Sequence, residues 1–65
     1  MDINFEEALK LIITKNVNIK WLKIFSKKDD LEYSLTCYNS YVSDFDALTM
    51  NEFKLLINVV KTFIV

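Results

Sequence analysis

The stretch IKWLKIFSKKDDLEYSLTCYNSYV, residues 19–42, decides how the chain is read. In its second half Leu31, Tyr33, Leu35 and Cys37 alternate with Glu32, Ser34, Thr36 and Tyr38, the period of a half-buried strand. The first half, residues 19–26, is rich in β-branched and aromatic residues and reads as a second strand. Lys27-Lys28-Asp29-Asp30 lies between them as a hairpin tip. An even-length loop sets Leu22 opposite Leu35 and Ile24 opposite Tyr33, and a one-residue slip would face those apolar groups with Ser34 or Thr36. The pattern thus selects its own register.

That register leaves a second, mixed face. Ile19, Trp21, Lys23 and Phe25 come from the first strand, and Glu32, Ser34, Thr36 and Tyr38 from the second. Large rings are costly to leave in water, and Trp and Tyr dominate interface energetics. Trp21, Phe25, Tyr38, Ile19 and Lys23 are therefore the expected partner-binding residues.

Outward from the hairpin, both flanks read as helices. Asn4 can cap the first, with Glu7 three residues on as its reciprocal partner, and Phe5, Ala8, Leu9, Ile12 and Ile13 form an apolar stripe. Glu6 and Lys10 make a favourable pair one turn apart. Asn16-Val17-Asn18 breaks the pattern, since asparagine prefers turns to helix interiors. After a loop at 43–47, Thr49 and Glu52 form a capping box and Leu48 with Phe53 a hydrophobic staple. The second helix is expected from about Met50 to about Ile64. Its apolar arc spans roughly 220°, more than one neighbouring layer covers. The expected fold is a single small α+β domain over residues 1–65, α-β-β-α, with an antiparallel hairpin packed on two helices.

Composition narrows the function. A 65-residue chain that is 52% apolar is no disordered segment, but a domain of this size is marginal without a staple. One cysteine excludes an intrachain disulfide, and the absence of histidine leaves no zinc site, so association with another chain is the remaining route. A homodimer is expected on this ground and from the wide helix arcs. Without histidine or glycine there is neither the usual general base nor a phosphate-cradling loop. Asp29-Asp30 and Asp44/Asp46 are solvated turn carboxylates with too few neighbours for a metal. Cys37, on the apolar strand face, is expected to be a buried, inert thiol. No enzyme, no cofactor and no metal are expected.

Charge is sorted along the chain. Six lysines and no acid occupy residues 8–28, and six acids and no base occupy residues 29–53. Across a hairpin these would pair, which weakens the alternative of a small nucleic-acid-binding or transcriptional regulator using the Lys20-Lys28 strand. Arginine is absent and the net charge is −1, so nucleic acid is an unfavoured partner. No apolar run reaches the length of a membrane span, and acids at Asp2, Glu6 and Glu7 are unlike a signal peptide, so a cytoplasmic protein is expected. Ile, Lys and Asn supply 21 of the 65 residues, the usage of an AT-rich genome such as that of a low-GC bacterium or its phage. The expectation is a non-catalytic protein-protein interaction module, a small phage or mobile-element protein that inhibits a host factor by stoichiometric binding.

Overall fold

The computed structural model describes residues 4–64; Asp2, part of the acidic start, lies outside them. Among the described residues there are four α-helices: α1 (Phe5–Thr14), α2 (Ile19–Phe25), α3 (Leu31–Tyr41) and α4 (Met50–Val59). A 3-10 turn at Asp44–Asp46 precedes α4, which continues as a π-helical turn through Val60–Ile64. Among the described residues there is no strand. The expected α+β fold is therefore wrong: both predicted strands are helices, and the hairpin tip is a helix–helix connection.

The reason is local satisfaction of the backbone. A lone two-stranded sheet leaves a row of unpaired N–H and C=O groups on each edge, whereas a helix pairs its own. The two residues that begin the disputed helices are also strong caps. Asn18 Oδ1 accepts a hydrogen bond from the Trp21 N–H at 3.2 Å, and Asp30 Oδ1 accepts one from the Tyr33 N–H at 3.1 Å. The apolar period then resolves to 3.6. Leu31, Leu35 and Tyr38 turn inward with Ser34, while Tyr33 points to solvent. Strand alternation would have put Tyr33 with Leu31 and Leu35, and Ser34 with Tyr38 on the opposite side.

The outer helices follow the sequence closely. Asn4 accepts from the Glu7 N–H at 3.0 Å and donates through Nδ2 to Glu7 Oε2 at 3.0 Å. Thr49 and Glu52 form the reciprocal capping box, with bonds of 3.2 and 2.9 Å. The end of α1 is a Schellman motif: the Val17 N–H donates to the Ile12 carbonyl at 3.0 Å and Asn16 to Ile13 at 3.4 Å. Asn16 stands in the left-handed region, φ 49°, where asparagine substitutes for the glycine this chain lacks.

Helix α4 is the hub. α1, α2 and α3 all pack against it, and α2 also meets the π-helical turn. Phe53, Leu56, Ile57, Val59 and Val60 are buried there with Ala8, Val17, Leu22, Tyr38 and Leu48. The wide apolar arc of α4 is thus covered within one chain. The segment leading into α4 is pinned from two sides. Asn39 exchanges two hydrogen bonds with the Leu48 backbone, and Lys15 Nζ donates to the Ala47 carbonyl at 3.0 Å.

Candidate partner-binding surface

The aromatic side chains form a path from the core to solvent. Phe53 on α4 and Tyr38 on α3 are fully buried, with ring centroids 6.2 Å apart. Trp21 on α2 stands edge-on to Tyr38 at 6.3 Å and to Phe25 at 6.4 Å. Its closest ring is Tyr41, at 4.5 Å and 88°, and Tyr41 is 69% exposed at the end of α3. The edge-to-face geometry suits the ring quadrupoles. Trp21 is half-buried, held from beneath by Tyr38 and presented beside Tyr41.

Asn16, Asn18, Trp21, Tyr41, Ser43 and Asp46 line a shallow groove of about 280 Å³ at this edge. It is open, mixed in polarity and bounded by the α1–α2 turn and the segment after α3. Ser43 Oγ donates to Asp46 Oδ2 at 3.1 Å, which steadies the acid side of the groove.

The expected partner residues are thus separated by the helical fold. Trp21 and Phe25 do share one side of α2, with Ile19 half-buried against the core and Lys23 in solvent. Tyr38 turns the other way, into the core. Residue 38 sits one turn from Ser34 on the inner face of α3, and both hydroxyl oxygens are buried without a hydrogen-bond partner. Burial pushes the Tyr38 phenol up from its ordinary value of 10.0, and the Asp46 charge adds to the rise.

Sequence reasoning passed over Tyr41. Its signal is helical spacing: Tyr33, Cys37 and Tyr41 recur every four residues and share the outer face of α3. Cys37 is a free, half-buried thiol on that face, not the fully buried group a strand would have made it. The neighbouring Cys37 thiol raises the Tyr33 phenol above its ordinary value, with smaller rises from slight burial and Tyr41. Ile24 is a second exposed apolar group missed for the same reason.

The lysines also change meaning. Lys20 and Lys23 lie about 60° apart on α2, counting about 100° per residue, Lys27 follows in the turn after the helix, and all three are exposed. Asp30 is spent on capping α3 rather than facing them across a hairpin. A separate groove of about 300 Å³ is lined by Lys28, Lys54 and Lys61 with Asp29 and Asn58.

Among the described residues no three His, Cys, Asp or Glu side chains gather to hold a metal ion, and no helix is long and apolar enough to cross a membrane. No family model matches the chain, and no curated protein or solved structure matches it.

Proposed function

We propose that this chain is a non-catalytic, cytoplasmic protein-interaction module that acts by stoichiometric binding, as a small phage or mobile-element protein does when it occupies a host factor's surface. The observation that carries this reading is the Trp21–Tyr41 pair. One ring is wedged against the core and the other is 69% exposed beside a shallow groove. A rigid aromatic anchor costs little ordering entropy on binding, and such residues concentrate binding energy. The test is affinity capture from a low-GC bacterial host, followed by binding to the purified candidate. Wild type should bind one target per chain, and Tyr41→Ser should lose at least tenfold in affinity while keeping its helical spectrum. Equal binding by Tyr41→Ser would remove the aromatic face from the reading.

A second reading, nucleic-acid binding, is favoured by one observation: the lysine edge of α2, whose opposing acids the helical fold takes away. Phosphate contact would show as affinity falling steeply with salt, with a log–log slope near −0.9 per duplex phosphate. Lys20→Glu with Lys23→Glu would abolish it and leave the protein target untouched.

A further inference from the structure

Helix α1 carries an apolar stripe that the fold does not cover. Phe5, Leu9 and Ile13 lie one turn apart and are 43%, 41% and 77% exposed. The stripe is continued by Phe63 of the π-helical turn, which meets Phe5 edge-on at 5.1 Å and is itself more than half exposed. Its inner neighbour on the helix, Ala8, is fully buried, so the stripe flanks the core contact instead of forming it.

We propose that this stripe is the interface of a two-fold homodimer in which α1 of one copy lies antiparallel on α1 of the other, crossing at Leu9. Two features single out a second copy as the occupant. The first is shape. With Leu9 on the axis, position 5 of one copy lies opposite position 13 of the other. Ile13, the most exposed group of the stripe, then inserts against the Phe5–Phe63 ring pair of the second copy, and the same contact repeats by symmetry.

The second is charge. Glu6 and Lys10 border the same edge of the stripe, about 40° apart on the helix. In an antiparallel pair the same edge of both copies comes together. Glu6 of one copy then lies about 3 Å along the axis from Lys10 of the other, at 1.5 Å rise per residue. Two Glu6–Lys10 contacts form across the axis. A parallel pair would put this charged edge against the Ala8–Ile12 side and gain neither. Complementary charge of this kind sets register more than affinity.

The size of the face sets the strength. Aromatic side chains bury about 150–250 Å² when fully covered, so two half-exposed rings with Leu9 and Ile13 supply on the order of 400 Å² per copy. That is about half of a standard interface side, the size of a weak, transient contact. This interface deepens the reading of an association module but uses none of the Trp21–Tyr41 face, so each can fail without the other.

Sedimentation equilibrium on the full chain tests it. Wild type should approach twice the 7.7 kDa chain mass at tens of micromolar, the regime of about 10⁻⁵ M affinity. Leu9→Lys sets two ammonium groups against each other on the axis and should give a monomer. Glu6→Lys and Lys10→Glu should each weaken the dimer about tenfold, and the double variant Glu6→Lys/Lys10→Glu should restore it. Both charge positions are exposed, so these variants keep the fold, which circular dichroism checks, even where Leu9→Lys does not. Tyr41→Ser should leave dimerisation unchanged. A wild-type monomer across this range overturns the proposal. So does a dimer that ignores Leu9→Lys, or a charge swap that fails to restore association.

Discussion

The side chain of Asn39 is bonded to both polar groups of Leu48: Nδ2 donates to its carbonyl at 2.9 Å and Oδ1 accepts from its N–H at 2.9 Å. The pairing copies one rung of a sheet and holds the Leu48 backbone just ahead of α4. It does so where Leu48 is buried, so a lost bond leaves a backbone group largely away from water. Asn39→Ala should destabilise the fold by about 2 kcal/mol, the cost of two lost bonds with a buried N–H left unpaired. Asn39→Asp should lose nearly as much, because a carboxylate keeps the acceptor but turns an oxygen toward the Leu48 carbonyl. Urea titration at neutral pH reads both, and a loss below a few tenths of a kcal/mol in either would show that this rung is not made.

The caps of α2 and α3 separate the helical fold from the hairpin. Asn18→Ala and Asp30→Ala should each cost about 1 kcal/mol, as Thr49→Ala should at α4. In a hairpin Asp30 would be a solvated tip residue, and its removal would be silent. Three comparable losses by chemical denaturation are the expected outcome.

Asn16 gives a different signature because its backbone is the constraint. Asn16→Ala should destabilise by about 1 kcal/mol, the cost of a Cβ in the left-handed region without asparagine's local hydrogen bonding. Asn16→Gly should be neutral or slightly stabilising, since glycine occupies that region freely. Equal losses in both variants would mean the side chain, not the backbone, matters there.

Two buried hydroxyls are expendable. Tyr38→Phe and Ser34→Ala remove groups with no hydrogen-bond partner and should be neutral or raise stability, by up to about 1 kcal/mol each. Tyr38 also governs the alkaline limb. Burial raises its folded-state phenol above 10.0, so the fold holds that proton more tightly than the unfolded chain does. Stability is therefore unaffected below about pH 10 and falls as pH rises beyond it. The gap between the thermal melts of wild type and Tyr38→Phe should be constant below about pH 10 and widen only in that alkaline range.

Tyr33 and Cys37 are linked on the outer face of α3. Cys37→Ala should lower the Tyr33 phenol toward its ordinary value by removing the neighbouring thiol that favours its protonated form. Phenolate absorbance across an alkaline titration measures this, with Tyr33→Phe identifying the band. An unmoved titration would separate the two side chains.

How much of this was legible differs from element to element. Asn4, Glu7, Thr49 and Glu52 announced α1 and α4 because a capping box is written in four consecutive positions, with no reference to the rest of the chain. α2 and α3 were not legible on the same terms. Leu31, Tyr33, Leu35 and Cys37 alternate by coincidence, and without a glycine or proline the turn at 26–29 looks the same between strands as between helices. The missed information was at Asn18 and Asp30, each a cap residue ahead of an apolar run, and in Leu31, Leu35, Tyr38 and Val42, which satisfy the helical period. Trp21 and Phe25 were identifiable by residue type alone. Tyr38 and Tyr41 depend on which face of α3 each occupies, so the wrong period assigned the inner ring to the surface and overlooked the outer one.

Because α1, α2 and α3 each dock on α4, none of them has its core contact until the fourth helix exists. The hub is the last of the four helices to be synthesised, at about 5–20 residues per second. Until then Leu22 and Val17 lack their α4 neighbours and Tyr38 has Trp21 but not Phe53, and short isolated helices are barely stable in water. The growing chain therefore has no stable halfway structure to rest in. Packing of the first three helices waits on α4, and loss of α4 would leave three weakly held helices rather than a smaller domain.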